Sequence, residues 1–432
     1  MKDVRVHPDG RSVGEQIMVK TLSLADAAWE IGPQVVADRR YLHQHPELGF
    51  QEENTARFVA GKLRGLGIET TTGVAKTGVV GILHGGMPGK TVLLRADMDA
   101  LPIDELNDVP YKSATPGVMH ACGHDAHTAM LLGVARLLAE RRETIKGTVK
   151  FVFQPSEESF PGGAKPMIDA GVLENPHVDA AFGVHIGQDL PVGTIGVVTG
   201  PSNAASDGFV ATIKGVGGHA ARPHGSVDPI VVAAQCIGAL QTLISREVNP
   251  LRQAVITVGS LHAGTVANII PEEAIMKATV RTFDPWVRQN LAERIPALIK
   301  GIATAMRAEA DVQYRLGYPT LVNDAAMSDL VREVAREVVG PERLIEREPG
   351  MGGEDMAYFL QQVPGCFFRI GSRNPERGLT YGHHHPRFDI DDEGALPIGV
   401  AAVASVALRF LNGAENGTEM NAASGDASAD AS

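Results

Sequence analysis

Residues 119–133 read MHACGHDAHTAMLLG, and no other stretch of the chain restricts the fold as strongly. His120, Cys122, His124, Asp125 and His127 crowd into one turn, which then runs into an apolar helix start. Thiolate, imidazole and carboxylate are the side chains that bind divalent transition metals, and a turn entering a helix is stiff enough to aim them. A complete metal centre needs more donors than this turn offers. They lie far along the chain, in QPSEES with Glu157 and Glu158, in GVHIG with His185, and in HHHPRF with His383, His384 and His385. The fold must therefore bring four remote segments to one place.

At 432 residues the chain is too long for one ordinary core, so two domains are expected. A formal charge of -12 disfavours nucleic acid, since nothing would neutralise phosphates in quantity. No apolar run approaches the roughly 20 residues of a membrane span, so no membrane partner is expected. The first residues are polar and lack the apolar centre of a secretory signal. Three cysteines do not make a disulfide framework and suit a reducing compartment, which points to the cytoplasm.

Hydrophobic spacing predicts helices over residues 25–44 and after His45-Pro46 as far as Gly65 or Gly67. Strands follow over 78–84 and 91–97, separated by the turn GGMPGK. The second strand ends in LLRADMDALP, where an apolar run stops at Asp97 and Asp99. A helix over 127–141, the strand KGTVKFVFQP before Glu157 and Glu158, and the strand VDAAFGVHI ending on His185 complete the pattern. Strands that each end in candidate donors predict one sheet edge carrying the site, in an α/β unit with a mixed, largely parallel sheet flanked by helices.

From Asp207 the order becomes β-α-β-β-α-β, the split βαβ of ferredoxin-like domains. The expected organisation is a flexible extension over 1–24, a catalytic domain formed by 25–200 and 317–412, an inserted lid and dimerisation domain over 201–316, and a disordered tail over 413–432. Beyond the insert, helices are predicted at MSDLVREVAREVV, EDMAYFLQQV and GALPIGVAAVASVALRFL, with GCFFRIG as a strand.

Each motif alone has a plainer reading. Cys122 and His124 could be a buried thiol beside a loop histidine. Glu157 and Glu158 could be a solvated acidic loop. HHHPRF could be a polar loop fixed by Pro386. His120 and His127 read as supporting or surface groups, and Asp99 as the residue that orients a histidine. In the insert, His219, His224, Asn268 and Arg281 are surface or ion-pair candidates, though Arg281 could fork onto a substrate carboxylate.

Together these segments resemble the hippurate hydrolase, or N-acyl-amino-acid amidohydrolase, branch of the dinuclear metallopeptidases that also include aminoacylase and carboxypeptidase G. The likeness runs from RRYLHQHPELGFQE through LRADMDALP, MHACGHDAHTAMLLG, FQPSEE, GVHIG, GGHAARPH, ANIIP, ATVRTFD and MGGEDMAYF to HHPRFDIDDEGALPIG. It implies Cys122, His124, Glu158, His185 and His384 as metal ligands, with Cys122 bridging and Glu157 as general base. The family's His-x-Pro-x-Phe spacing selects His384 among the three histidines. Asp97 stands where relatives carry a histidine ligand and is not assigned to metal. The resemblance further implies a homodimer formed through the insert, with His219 reaching the neighbouring subunit's site and Asn268 and Arg281 holding the substrate carboxylate. Gly394, in DDEGALP where DEALP is expected, is a departure that affects a helix start.

The implied reaction is metal-dependent hydrolysis of the amide of an N-acyl amino acid, hippurate-like or N-acetyl. Two divalent ions (zinc, manganese, cobalt or nickel) would share the water that Glu157 deprotonates. Three rivals remain at this stage. One is a dipeptidase or N-acetyl-diaminopimelate deacetylase on the same fold. Another is a thiol hydrolase with Cys122 as nucleophile and His124 as base. The third is a metal-dependent binding protein without turnover.

Overall fold

The structure, a computed structural model, describes residues 22–413. The expected extension, apart from its last residues, and the expected tail beyond Gly413 lie outside the described residues. An eight-stranded sheet organises the larger part of the fold. Across it the strands run Glu69–Val74, Gly78–His84, Lys146–Gln154, Met87–Asp97, Ala180–Pro191, Gly365–Arg373, Ile195–Val197 and Leu344–Glu346. The central strands Lys146–Gln154, Met87–Asp97, Ala180–Pro191 and Gly365–Arg373 pair in parallel, as does the outer pair Ile195–Val197 and Leu344–Glu346; the other pairings are antiparallel. The sheet is mixed, with its parallel part in the middle.

The central strands read as unbroken apolar runs because both faces are covered. Val92 and Leu94, Phe151 and Phe153, and Ala180 and Phe182 pack on one face, under the helices Leu24–Gln44, His124–Ala139 and Asp392–Asn412. The intervening Leu93, Val152 and Ala181 pack on the other, with Ala164–Asp169 and Ala357–Leu360. This alternation is the two-residue period of a strand.

A second, four-stranded antiparallel sheet lies between residues 205 and 318, in the order Ala254–Ala263, Glu273–Thr282, Ala205–Lys214, Glu309–Tyr318. The helices Pro229–Thr242 and Pro285–Ala305 cover one of its faces. They enclose a separate core with Phe209, Ile213, Val232, Leu240, Leu291 and Ile295.

Several local expectations need correcting. The strand after GGMPGK starts at Met87 rather than Thr91, since MPGK is itself extended. Glu69–Val74, sequence ETTTGV, is an edge strand that the hydrophobic pattern missed because it buries almost nothing. EDMAYFLQQV holds only one short helix, Ala357–Leu360. His185 does not end its strand: Ala180–Pro191 continues past it. Two helices, Pro229–Glu247 and Asp392–Asn412, are in fact long and apolar enough to cross a membrane; 78% of the latter's most apolar window is buried inside the fold. Gly394 sits in the first turn of Asp392–Asn412, where its N–H is capped by Asp391 at 3.2 Å, so the departure leaves the helix start intact.

Candidate metal centre

The parallel strands deliver their C-terminal ends to one edge. Asp97 pairs with Gln154, which brings Asp99 and the loop carrying Glu157 and Glu158 together. Arg95 pairs with Gly183, so His185, two residues on, stands level with Asp97 within its longer strand.

The turn before His124–Ala139 depends on Gly123, whose φ is 92°. A side chain there would be strained by the backbone conformation, although its Cβ would find only ordinary contacts, with Ile186 at 3.4 Å and Phe388 at 3.6 Å. With glycine in place, the turn presents Cys122 and His124 to one cavity. Asp99 fixes the far side: its carboxylate meets His124 Nδ1 at 3.1 Å and accepts the backbone N–H groups of Glu157 and Glu158, both at 3.0 Å. One buried carboxylate therefore positions three neighbours at once.

Hydrogen bonding decides which imidazoles keep a lone pair. His124 Nε2 is buried and has no hydrogen-bond partner among the described residues, although Asp97 and Glu158 carboxylate oxygens lie 3.7 and 4.0 Å away. His185 donates from Nδ1 to the carbonyl of Ile186 at 2.7 Å, so Nε2 carries the lone pair, and it is hydrogen-bonded to Cys122 Sγ at 3.5 Å. His127 is saturated: Nε2 accepts the N–H of Ile186 at 2.9 Å, and Nδ1 donates to Asp97 at 2.6 Å. It has nothing left for a metal. His120 is buried with neither ring nitrogen partnered, and burial lowers its pKa to about 4.

The three consecutive histidines diverge. His383 turns inward beside His185, with ring centroids 5.1 Å apart, and His385 stacks on Tyr381. His384 takes a φ of 64° and puts Nε2 3.0 Å from Glu158 Oε1, while its N–H donates to Ala121 next to Cys122 at 2.8 Å.

Of the donor triads among the described residues, two contain Cys122, namely Cys122–His124–His185 and Cys122–Glu158–His384, with the donor atoms of each within 4.8 Å of one another. They share the Cys122 sulfur. Ligands around one tetrahedral ion stand a few ångströms apart, so this spacing, this mix of donors and the orphaned His124 nitrogen fit a divalent cation in each triad. Negative charge dominates the pocket, a field that a bound cation would relieve. Burial and the charge of Glu158 push the Cys122 thiol well up. Burial opposes a charge on His124, but Asp97, Asp99 and Cys122 outweigh it and raise its pKa. Burial, with Glu354 and Glu158, raises Glu157. The Glu157 carboxyl joins His124 and Glu158 in a further donor group, and its carbonyl accepts from the Tyr318 hydroxyl at 2.6 Å.

The sequence reading gave no role to the network behind Glu157. Arg95, wholly buried, binds Asp97 at 2.7 Å, Asp355 at 2.8 Å and Glu354 at 3.0 Å. The signal was present: an arginine within the apolar run TVLLRAD requires buried acids, and Glu354-Asp355 after a glycine pair could supply them. The reading of His120 and His127 as supporting or surface groups is half corrected, since both are buried.

A cleft of about 660 Å³ opens at Glu158 and is walled by Phe160, Lys277, Arg281, Arg315 and Tyr318, among others. Arg281 thus lines the same cleft as Glu158, with its Nη1 donating to the carbonyls of Asp207 at 3.3 Å and Val280 at 3.2 Å. His219 and Asn268 do not: they are exposed at a small two-stranded antiparallel pair, where His219 pairs with Ile269, and neither lines this cleft. His224 is also exposed, in a short turn of the same lobe.

Comparison with known proteins agrees with this geometry. The chain is 43% identical over 363 residues to an N-acetyl-L-cysteine deacetylase of Bacillus subtilis, covering 84% of this chain and 85% of that one. It is 40% identical over 386 residues to thermostable carboxypeptidase 1 of Saccharolobus solfataricus, covering 89% and 97%. The crystal structure of YXEP from Bacillus subtilis, described as a dinuclear metal binding peptidase from the M20 family, superposes with a TM-score of 0.76 at 38% identity, covering 89% of this chain and 99% of that one. Relatives of this kind hydrolyse amides, and the chain is an amidohydrolase-type enzyme. The profile of peptidase family M20/M25/M40 matches residues 93–409, and the chain belongs to that family.

Proposed function

We propose that this enzyme hydrolyses the amide bond of N-acyl amino acids, hippurate-like or N-acetyl, to a carboxylic acid and a free amino acid. One observation carries the reading: two donor triads share the Cys122 sulfur, with the Glu157 carboxyl beside them. Cys122, His124 and His185 would hold one divalent ion, and Cys122, Glu158 and His384 the other. Such a pair, when bound, supplies a water of lowered pKa and a Lewis acid for the amide carbonyl.

The chain's own groups do the rest. Glu157 accepts a proton from the water and passes it to the leaving nitrogen. Asp99 keeps His124 in one tautomer and Glu157 and Glu158 in place. Arg281, in the cleft next to Glu158, takes the α-carboxylate, with Asn268 assisting. His219 donates to the developing oxyanion.

His219 and Asn268 stand away from their own chain's cleft, which supports a homodimer in which each subunit lends them to the other. Residues 201–316 then form an inserted ferredoxin-like lid and dimerisation domain between catalytic segments 25–200 and 317–412. The strand order of the four-stranded sheet and its separate core support that division. Three free cysteines support the cytoplasm as the working compartment.

The test is a metal-stripped enzyme reloaded separately with zinc, manganese, cobalt and nickel. Each form is assayed on hippurate, N-acetyl amino acids, N-acetyl-diaminopimelate and free dipeptides. Activity restored by metal and highest on N-acyl amino acids supports the reading. Preference for dipeptides or for N-acetyl-diaminopimelate replaces the substrate class, and activity that resists stripping but is lost on thiol alkylation replaces the mechanism.

A further inference from the structure

The strand Gly365–Arg373 is buried along its length up to Ser372 except at Arg369, which is partly buried. Arg369 lies in parallel register with His185, and its guanidinium carbon stands 5.9 Å from the Phe367 ring centroid. The two acids whose charge reaches it are engaged elsewhere: Asp189 binds Arg347, and Glu354 binds Arg95 at 3.0 Å. Among the described residues its side chain makes neither an ion pair nor a hydrogen bond. A guanidinium drawn partly out of water without an anion is unfavourable, and cations in the adjacent triad would make it more so. The position calls for an anion that arrives with the substrate.

We infer that Arg369 is an anion subsite on the acyl side of the scissile bond, and that the preferred substrates are half-amides of dicarboxylic acids, whose acyl chain ends in its own carboxylate. This rests on the N-acyl amino acid reading above. The geometry gives the direction. Arg281 and its cleft open at Glu158, a member of one triad, whereas Arg369 stands beside His185, a member of the other. An amide lying across both triads with its α-carboxylate on Arg281 sends its acyl chain towards Arg369. A planar guanidinium then grips the distal carboxylate through two parallel N–H bonds.

The experiment compares N-acetyl, N-succinyl and N-glutaryl derivatives of one amino acid on the metal-loaded wild type, Arg369→Met and Arg369→Lys. The wild type should favour a dicarboxylic acyl group by about 10-fold or more in kcat/KM. Arg369→Met should shrink that ratio by about 10-fold, chiefly through KM, and Arg369→Lys should retain part of it. Calorimetry should show succinate binding weakened by a similar factor in Arg369→Met, with butyrate as the uncharged-end control. Metal content and melting curve establish that each variant is folded; if Arg369→Met is not, the same ratio in Arg369→Lys decides. A wild type that prefers acetyl substrates, with a ratio unmoved by substitution, overturns the subsite and leaves the N-acyl reading standing. A wild type that cleaves dipeptides but none of the three derivatives overturns that reading, and the subsite with it.

Discussion

Replacing Asp99 by asparagine should damage metal binding, catalysis and stability together. The carboxylate is 2% exposed and engages three groups: His124 Nδ1 at 3.1 Å, and the N–H groups of Glu157 and Glu158 at 3.0 Å each. An asparagine oxygen can replace Oδ1 and keep the contacts to His124 and Glu157, although without the negative charge. Its NH2 group must then occupy the place of Oδ2 and confront the Glu158 N–H, donor against donor. The loss is one charge-assisted bond, worth about 2 kcal/mol, plus a buried donor left unsatisfied, about 1–2 kcal/mol more. A total of about 3–4 kcal/mol corresponds to a melting temperature lower by roughly 5–10 °C. Because Glu158, next to Glu157 in the same loop, is the group released, a displacement near 1 Å should also cut kcat/KM by roughly 100-fold. Differential scanning calorimetry, elemental analysis and steady-state kinetics on the same preparation measure all three effects. An Asp99→Asn enzyme that keeps its metal, its rate and its melting temperature would refute the claim that this carboxylate holds the centre together.

Glu157→Gln should bind metal as the wild type does yet lose about 1,000-fold or more in kcat, because the proton carrier is gone while the triads are intact; elemental analysis beside kinetics checks this, and full turnover would restore the binding-protein reading. His219→Ala should lower turnover far more than metal content, and mixing it with inactive Glu157→Gln under subunit exchange should regain activity; the absence of any gain would place His219 outside a shared site. Alkaline pH should weaken the fold through His43, which is buried between Arg39, Asp125 and Glu105. Burial and Arg39 depress its pKa, but Asp125 and Glu105 overcome both and hold it at about 9. Its folded pKa is thus above the unfolded value of about 6.5, so its contribution is fully present below pH 6.5 and disappears as pH rises through 9; the full amount is about 3 kcal/mol. A His43→Gln variant whose melting temperature falls between pH 7 and 10 as steeply as the wild type's would contradict this.

Much of the architecture was legible because the two periodicities differ so plainly. The helix over 25–44 and the strands at Gly78–His84 and Lys146–Gln154 followed from apolar spacing alone. ETTTGV escaped because an exposed edge strand has no buried face to mark. EDMAYFLQQV misled for the opposite reason: Met356, Ala357 and Phe359 have helical apolar spacing, but the segment is held mostly as turns around the Glu354 and Asp355 contacts to Arg95.

By itself, the sequence determined the kinds of side chain available, the segments that carry them and the order in which they come. It could not say which imidazole nitrogens are free, since each is set by a partner distant in the chain. Ile186 saturates His127 from 59 residues away, and Asp99 occupies one nitrogen of His124 while the other is left bare. Nor could it show that the insert's His219 and Asn268 stand apart from the cleft that Arg281 faces. A donor's chemistry belongs to its residue type, but the availability of its lone pair depends on which hydrogen bonds the folded chain has already made.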